Sequence, residues 1–393
     1  MNMKRLLLAI TLLFAGCAVA PEPLGLRAPA EPTMAAAVRD ACRSDVALLG
    51  EGSGHGDGRT LAFKAALVPR LVDECGFNAV LFEGSNYDFL ELQRRLRRGQ
   101  PVTRAMVASS IGGIWNRYEE MQPLITWLHQ RLVTGRLRLG GIDDQLGSAG
   151  AFYSISEMPT ELTGLLNGAR AGKCRETLRR RIYGETGTAT AERTVLTACV
   201  TDIRGALRAA PSTRERGERL HMLDNIERYI SRDLLDQTKH MRERDRSMWL
   251  NYQWLSERLG SDTRSIVWGA TVHLSRDATA TKLFLGGDNF GAYINRAHGR
   301  RAFFLGFAAA GGASLSGTEM RARPDATLRS VEAGALAKAS SDSVYVSRRS
   351  LQGFGSRSGG LFSPEPVTTN WANVVDGLVV FREERPPVRV ADN

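Results

Sequence analysis

The stretch DVALLGEGSGHGDGR, residues 45–59, decides the fold and directs the search for function. It begins as a short apolar run and then breaks into glycines that carry Glu51, Ser53 and His55. A buried strand that ends in a glycine-rich turn raises the next side chains out of the core, at the carboxyl edge where open α/β sheets bind ligands. We therefore predict a strand over 45–50 and a functional loop directly after it.

Strands and helices alternate along the chain after this stretch. Apolar residues recur at helical spacing from Thr60 to Cys75, and Gly76 is a natural end for that helix. The succession predicts an α/β fold with a mostly parallel sheet flanked by helices. Further strands are predicted at 78–82, 136–142, 265–269, 302–307, 343–346 and 377–381, with helices over 87–98 and 115–132.

A polar, arginine-rich block from about residue 151 to 259 interrupts this alternation and contains no good strand. Between strands of one sheet, such a block is typical of an all-helical insertion or cap. The glycine- and serine-rich stretch 353–366 predicts a loop, either near the site or on the surface. We predict one α/β domain over 37–385 that includes the insertion, followed by a tail at 386–393.

The amino-terminal residues indicate export. Two basic residues precede the apolar run 6–14, which is too short to span a bilayer and leads to Cys17. This arrangement resembles a bacterial lipoprotein signal over residues 1–17, in which Cys17 becomes the lipidated first residue. Cleavage after Ala20 would instead release a soluble exported protein. Residues 18–36, rich in Pro and Ala, predict a tether, and we expect a lipid anchor in the outer membrane facing the periplasm.

Composition and cysteine count narrow the classes further. The net charge of +10 comes from arginines scattered among acidic residues, and no nucleic-acid-binding motif accompanies them, so we expect no nucleic-acid partner. In an oxidising compartment the four remaining cysteines allow three pairings. Proximity favours Cys42 with Cys75 and Cys174 with Cys199, and buried free thiols are the alternative for the first pair. The sequence contains no Cys-x-x-Cys spacing, so we expect no structural zinc site.

Ionisable side chains lie at or just after the carboxyl ends of several predicted strands, where parallel strands meet at one edge of a sheet. Histidines and carboxylates gathered there fit general-base hydrolysis. A histidine takes a proton from water, a carboxylate orients the ring, and a second basic group stabilises the oxyanion. The same residue types also bind metals. The candidates are Glu51, His55, Glu83, Asp143 and His273.

Each candidate has a structural alternative. Glu51 is also suited to capping the turn that follows it, and Asp143 with Asp144 to forming a helix cap or turn pair. His273 after an apolar strand is also typical of a hydrogen-bonded structural histidine. Ser53 does not stand in a Gly-x-Ser-x-Gly elbow, so a serine hydrolase is a minor alternative. Polar or helical surroundings predict surface positions for His129, His221, His240 and His298.

These residues also carry a resemblance to a known family. Over about residues 45–385 the chain resembles the erythromycin esterase family. The resemblance implies an α/β core with a helical insertion, and metal-independent hydrolysis of a small-molecule ester, such as a macrolide lactone, without a cofactor. It rests on Leu49-Gly50-Glu51, His55-Gly56, Phe82-Glu83, Trp115, Gly141-Ile142-Asp143, Arg244-Asp245, Ile266-Val267-Trp268 and His273.

The resemblance assigns roles residue by residue. His55 matches the histidine that activates water, and Glu51 and Glu83 match a pair of carboxylates. Lys64 stands at a basic position, and His273 matches the last residue of a His-Asn-x-His motif. We predict that Lys64 and His273 polarise the substrate. The substrate-binding candidates are Arg59, Asp143 and Arg244.

The chain also departs from the family pattern. Three residues separate Glu51 from His55, where the family has two, and Arg59 stands where a glutamate is usual. Ala270 and Thr271 replace the His-Asn of the second motif. Since misplacing a catalytic group by about 1 Å costs on the order of a hundredfold in rate, a catalytically impaired binding or envelope-assembly protein is one alternative. A metal-dependent hydrolase is another.

Overall fold

A computed structural model describes residues 31–147, 152–184, 190–284, 287–323, 326–327, 329–363 and 365–391. The predicted signal, including Cys17, and the tether up to residue 30 lie outside these residues. Residues 31–36, which we assigned to the tether, instead form the first half of a helix. Their assignment was wrong because Thr33 and Met34 bury their side chains against the domain.

The strands of the described residues are β1 Val46–Leu49, β2 His55–Gly56, β3 Ala79–Ser85, β4 Arg138–Asp143, β5 Ser265–Trp268, β6 Ala302–Ala309, β7 Ala313–Ser316, β8 Glu319–Ala322, β9 Ser343–Ser347, β10 Ser356–Gly359, β11 Val367–Asn370 and β12 Gly377–Phe381. The α-helices are α1 Glu31–Ala41, α2 Gly58–Cys75, α3 Asn86–Arg97, α4 Arg104–Ile111, α5 Gln122–Val133, α6 Tyr153–Ser156, α7 Met158–Thr163, α8 Gly168–Ile182, α9 Thr190–Ala209, α10 Arg214–Ser231, α11 Gln237–Leu259, α12 Thr271–Leu274, α13 Phe290–His298, α14 Val331–Leu336, α15 Arg348–Phe354 and α16 Trp371–Val374. Short 3₁₀ helices cover Glu119–Met121, Arg232–Leu234, Lys282–Phe284 and Gly299–Arg301.

The central sheet has seven strands in the order β4-β3-β5-β1-β6-β12-β9. All neighbours are parallel except β9, which runs antiparallel to β12. In this register Leu49 lies beside Trp268, and Trp268 lies beside Phe82. The carboxyl ends of β1, β3 and β5 therefore meet at one edge. The prediction of a mostly parallel sheet flanked by helices is confirmed.

Helices cover both faces of this sheet, and its strands are therefore buried on both sides. Along β1, Ala47 and Leu49 pack in one apolar cluster, whereas Val46 and Leu48 pack in the other. This alternation follows from the two-residue period of a strand. The first cluster includes α1, α2 and α5, and the second includes α11 and α13.

The described part of the predicted insertion is helical throughout, from α6 to α11. It has its own apolar cluster, to which α3 contributes Tyr87 and Leu90. The last helix of the block, α11, returns to the sheet and packs on β4. No helix among the described residues has both the length and the apolar character that crossing a membrane requires.

Three local predictions were wrong. The helix expected over 115–132 begins only at Gln122, because Pro123 suits a first turn and the chain before it forms a loop that holds Trp115. The expected loop at 353–366 contains β10, which pairs with β11. His221 is not on the surface: its ring stacks on Trp254, and burial lowers its pKa to about 3.

Disulfide bonds join Cys42 to Cys75 and Cys174 to Cys199. These are the pairings that sequence proximity favours. The first bond ties the end of α1 to the end of α2, and the second joins α8 to α9 within the helical block.

Candidate active site

A cavity of about 440 Å³ opens at the carboxyl edge of the sheet. Its walls come from the loop after β1, from β3 and β4, from α11, and from the segment after β5. The ionisable side chains that line it are His55, Glu83, Asp143, Arg244 and His273.

A carboxylate and an imidazole form the first pair at this cavity. Nδ1 of His55 lies 2.8 Å from Oε1 of Glu51, whose side chain is fully buried. Because an ionised carboxylate only accepts hydrogen bonds, Nδ1 carries a proton, and in the neutral ring Nε2 then keeps its lone pair. The indole Nε1 of Trp115 donates to the same Oε1 at 2.5 Å, and its ring meets the imidazole edge-on at 5.2 Å between centroids.

The backbone of His55 is held in an unusual conformation. Its φ is 55°, the one positive φ of a residue other than glycine among the described residues. A left-handed histidine is uncommon, and such strain persists where the surroundings enforce it. Here β2 pairs with β7, placing His55 opposite Ser316. This turn accommodates the three residues between Glu51 and His55.

Lys64 lies behind Glu51 and does not line the cavity. It is fully buried on α2, with Nζ 2.6 Å from Oε2 of Glu51 and 4.0 Å from the ring centroid of Trp268. Burial lowers the pKa of Lys64 to about 8, against the opposing effect of Glu51. Burial raises the pKa of Glu51, but Lys64 and His55 outweigh it and keep that pKa below its usual range. The prediction that Lys64 polarises the substrate was therefore wrong.

Arg244 on α11 ties the opposite wall of the cavity together. Its Nη2 donates to Oε1 of Glu83 at 2.8 Å and to Oδ2 of Asp143 at 2.6 Å. The other oxygen of Glu83 accepts the N–H of Ala270 at 2.8 Å. Burial raises the pKa of Glu83, yet the charges of His273 and Arg244 hold it at about 2. Gly269 is required here, because a Cβ would lie 2.6 Å from Oε2 of Glu83.

His273 forms a second histidine–carboxylate pair with Asp245. Nδ1 of His273 lies 2.7 Å from Oδ2 of Asp245, and Oδ1 of Asp245 accepts the N–H of Phe290 at 2.6 Å. Nε2 lies 3.0 Å from Nη1 of Arg244 and 3.5 Å from Oε1 of Glu83. Burial lowers the pKa of His273, but Asp245 and Glu83 outweigh it and raise the pKa above its ordinary value. The ring accepts from Arg244 when neutral and faces Glu83 as a donor when protonated.

The erythromycin esterase family model matches residues 72–375. The chain belongs to the erythromycin esterase family. The matched residues include Glu83, Asp143, Arg244 and His273, whereas the loop that carries His55 precedes them. Membership supports an esterase-like hydrolase and implies a small-molecule substrate.

Three solved structures have a similar fold. A Bacillus cereus protein matches with a TM-score of 0.69 and 17% identity, over 90% of this chain and 92% of that chain. A succinoglycan biosynthesis protein matches with a TM-score of 0.69 and 15% identity, over 90% and 91%. An erythromycin esterase with one histidine replaced by asparagine, in its open conformation, matches with a TM-score of 0.64 and 15% identity, over 91% and 94%. At such identities the likeness shows the fold alone, and no curated protein matched significantly.

Not every predicted site residue of this esterase-family chain reaches the cavity. Glu51 stands directly behind His55, but Arg59 is absent from the cavity walls. The backbone N–H of Arg59 donates to Oε1 of Glu384 at 2.6 Å, so this residue belongs to the start of α2. The structure does not bring Arg59 to the cavity wall, and its role in binding substrate stays a prediction.

Two polar residues of this esterase-family site received no role from the sequence. Trp115 matched the family, but its contact with Glu51 depends on a loop that was predicted as helix. Asp245 lies within a run of charged residues on α11, so its sequence context does not distinguish it from a solvent-exposed aspartate. Its one available signal is spacing, since Asp245, Met248, Tyr252 and Leu255 share the buried face of that helix.

The carboxylates and histidines of the described residues do not include three or more arranged to hold one metal ion. The histidines at the cavity are instead each bonded through Nδ1 to a carboxylate. This arrangement suits proton transfer, because the carboxylate fixes the tautomer and stabilises the cation that forms.

Replacing Glu83 with glutamine should reduce the acid sensitivity of the fold. A carboxyl whose pKa falls from 4.5 to about 2 on folding contributes stability above pH 4.5 that is lost as pH falls through 2. This shift is worth on the order of 3 kcal/mol, so Glu83→Gln should lose less stability than the wild type across that window. Urea unfolding at several pH values measures how steeply the free energy of unfolding falls with decreasing pH. Glu257→Gln, at an exposed site on α11, should keep the wild-type slope.

Proposed function

We propose that the protein is an exported esterase that hydrolyses a small-molecule ester or lactone with His55 as the general base. One observation carries the proposal. His55 lines the cavity with Nδ1 bound to the buried carboxylate of Glu51, while its Nε2 has no hydrogen-bond partner among the described residues. A neutral imidazole held in this tautomer is ready to accept a proton from water.

The proposed reaction begins when Nε2 of His55 takes a proton from water and the resulting hydroxide attacks the ester carbonyl carbon. Glu51 stabilises the imidazolium that forms, and Lys64 keeps Glu51 ionised. The tetrahedral oxyanion then collapses, the bond to the leaving oxygen breaks, and the imidazolium returns its proton to that oxygen. The products are a carboxylic acid and an alcohol, or a hydroxy acid from a lactone.

Stabilisation of the oxyanion is assigned to the opposite wall. Arg244 supplies N–H donors there, and His273 adds one through Nε2 when its ring is protonated. Glu83 and Asp143 hold the guanidinium in place. Donors fixed in a site that excludes water stabilise a developing negative charge without reorganising. Because these carboxylates already compensate much of the arginine charge, directional hydrogen bonding is the larger part of this contribution.

The proposal is tested by assaying the purified protein against a panel of neutral esters and lactones after dialysis against a chelator. Turnover that survives dialysis supports the mechanism. Stoichiometric bound metal with turnover lost on its removal would favour a metal-dependent hydrolase. Absent turnover, together with thermal stabilisation by the same compounds, would favour a binding protein on this fold.

Export and lipid anchoring are part of the proposal. The signal-like residues 1–17 support them, and so do the two disulfides, which persist in oxidising compartments. If Cys17 is the lipidated residue, Cys17→Ala should move the protein from the membrane fraction to the soluble fraction or block its processing. Membrane fractionation measures where the protein is found, and labelling with radioactive palmitate measures whether it is lipidated. An unchanged, labelled membrane form would contradict the anchor.

A further inference from the structure

A second cavity, of about 510 Å³, lies against the loop that carries His55. Gly52, Ser53, Gly54 and Asp57 form one wall. Ser53 also lines the catalytic cavity, so the two spaces meet at this residue. A molecule that extends past Ser53 would occupy both.

The facing wall is the hairpin formed by β7 and β8. Ser314 lies directly opposite Arg321 in the register of these strands, and Ser316 follows Ser314 at a spacing of two. Because alternate residues of a strand share a face, these three side chains point to the same side of the hairpin. Arg323, two residues after Arg321, continues that face, and all four line the cavity.

Arg323 on this wall is held in place by an ion pair. The residue is 8% exposed, and its Nη2 donates to Oδ1 of Asp57 at 2.6 Å. Its Nε is buried and has no hydrogen-bond partner among the described residues. The bond to Asp57 therefore fixes the guanidinium of Arg323 on this wall.

Among the described residues, two arginines and two carboxylates line the cavity, and one of the arginines is only weakly paired. Asp57 is already paired with Arg323. Arg321 pairs only loosely with Glu319, at 3.6 Å between two side chains that are each more than half exposed. Glu365 is the other carboxylate on the wall, and it too is exposed. The guanidinium of Arg321 is therefore available to a ligand, with serine hydroxyls beside it.

We infer that this second cavity is a substrate subsite that binds a carboxylate group through Arg321, Arg323 and the serines of β7. The inference rests on the proposed function, since the reacting carbonyl of the same substrate would lie beside His55. The substrate class is then an ester whose acyl portion ends in a carboxylate.

The test uses para-nitrophenyl monoesters of straight-chain dicarboxylic acids of increasing length, each beside the neutral fatty-acid ester of equal length. One acyl chain should be long enough to reach from the carbonyl beside His55, past Ser53, to Arg321. For that dicarboxylic monoester, Arg321→Ala should raise KM on the order of tenfold, because a charge-assisted hydrogen bond is lost. KM for the neutral ester should not change. Arg296→Ala is the matched control, because Arg296 is 52% exposed like Arg321, forms one surface ion pair, and lines neither cavity.

A binding measurement keeps this test independent of turnover. Calorimetry with the free dicarboxylic acids should show Kd on the order of tenfold weaker for Arg321→Ala than for the wild type, and no such difference for the matching diamides. Arginine-dependent binding in a protein that hydrolyses no ester would support the carboxylate site and contradict the proposed function. A different result would support the function and overturn the subsite. In that result hydrolysis is lost in His55→Ala, but Arg321→Ala has the wild-type KM for the dicarboxylic monoesters.

Discussion

His55→Ala should reduce kcat/KM for ester hydrolysis on the order of 10²–10⁴-fold, the usual contribution of a positioned general base. The reason is that Nε2 of His55 is the acceptor that takes the proton from water, whereas Nδ1 is committed to Glu51. His273 cannot replace it, because its Nε2 already lies within hydrogen-bond distance of Nη1 of Arg244, at 3.0 Å. Steady-state kinetics with the best ester of the panel measures the loss.

A matched histidine provides the control for this prediction. His129 is partly buried, bonds the carbonyl of Val102, and does not line the cavity. His129→Ala should therefore leave kcat/KM close to the wild-type value. Circular dichroism and the thermal midpoint should show that both variants are folded. Activity retained in a folded His55→Ala variant would remove His55 as the base.

Lys64→Met should lower the free energy of unfolding by about 3–5 kcal/mol, as expected when one partner of a buried ion pair is removed. The ammonium lies 2.6 Å from Glu51, and both side chains are almost completely buried. Without Lys64 the carboxylate of Glu51 loses its charge partner in the core, or it takes up a proton and loses its function. Activity should fall as well, because an ionised Glu51 holds the tautomer of His55.

Two further variants separate this effect from general damage to α2. Glu51→Gln combined with Lys64→Met removes both charges, and it should recover most of the lost stability while remaining inactive. Arg70→Met, on the same helix, breaks two surface pairs, with Glu74 and with Glu31, and should change the free energy of unfolding by about 1 kcal/mol or less. Urea denaturation measures all three. Equal stability of the single and double variants would show that Glu51 does not need the cation.

Much of the site followed from local pattern. Glu51, Glu83 and His273 could be selected because each ends or follows a short apolar run, and such runs become parallel strands whose carboxyl ends meet. His55 stood out among glycines. Lys64 came from resemblance alone, and resemblance located it without showing that it lies behind Glu51 rather than in the cavity wall.

What the sequence could not supply were the partners. Trp115 reaches Glu51 across 64 positions of the chain, and Arg244 reaches Glu83 across 161. Neither contact leaves a periodic signal near either residue. The start of α1 was missed for a related reason, because its burial against the domain is not contained in a short window of sequence. The start of α5 had a local signal in Pro123.

The sequence by itself determined the parallel sheet and the edge at which ionisable groups gather, because apolar periodicity and glycine turns act within a few residues. The tertiary structure alone decided which carboxylate holds which histidine. It also buried Lys64 behind Glu51 and placed Arg59 at the start of α2. These outcomes depend on how α2 and α11 pack against the sheet edge, and the free energy of that packing is shared among residues far apart in the chain. For His55, the sequence marked the residue, and the fold supplied the hydrogen bond from Nδ1 to Glu51 that makes it suited to act as a base.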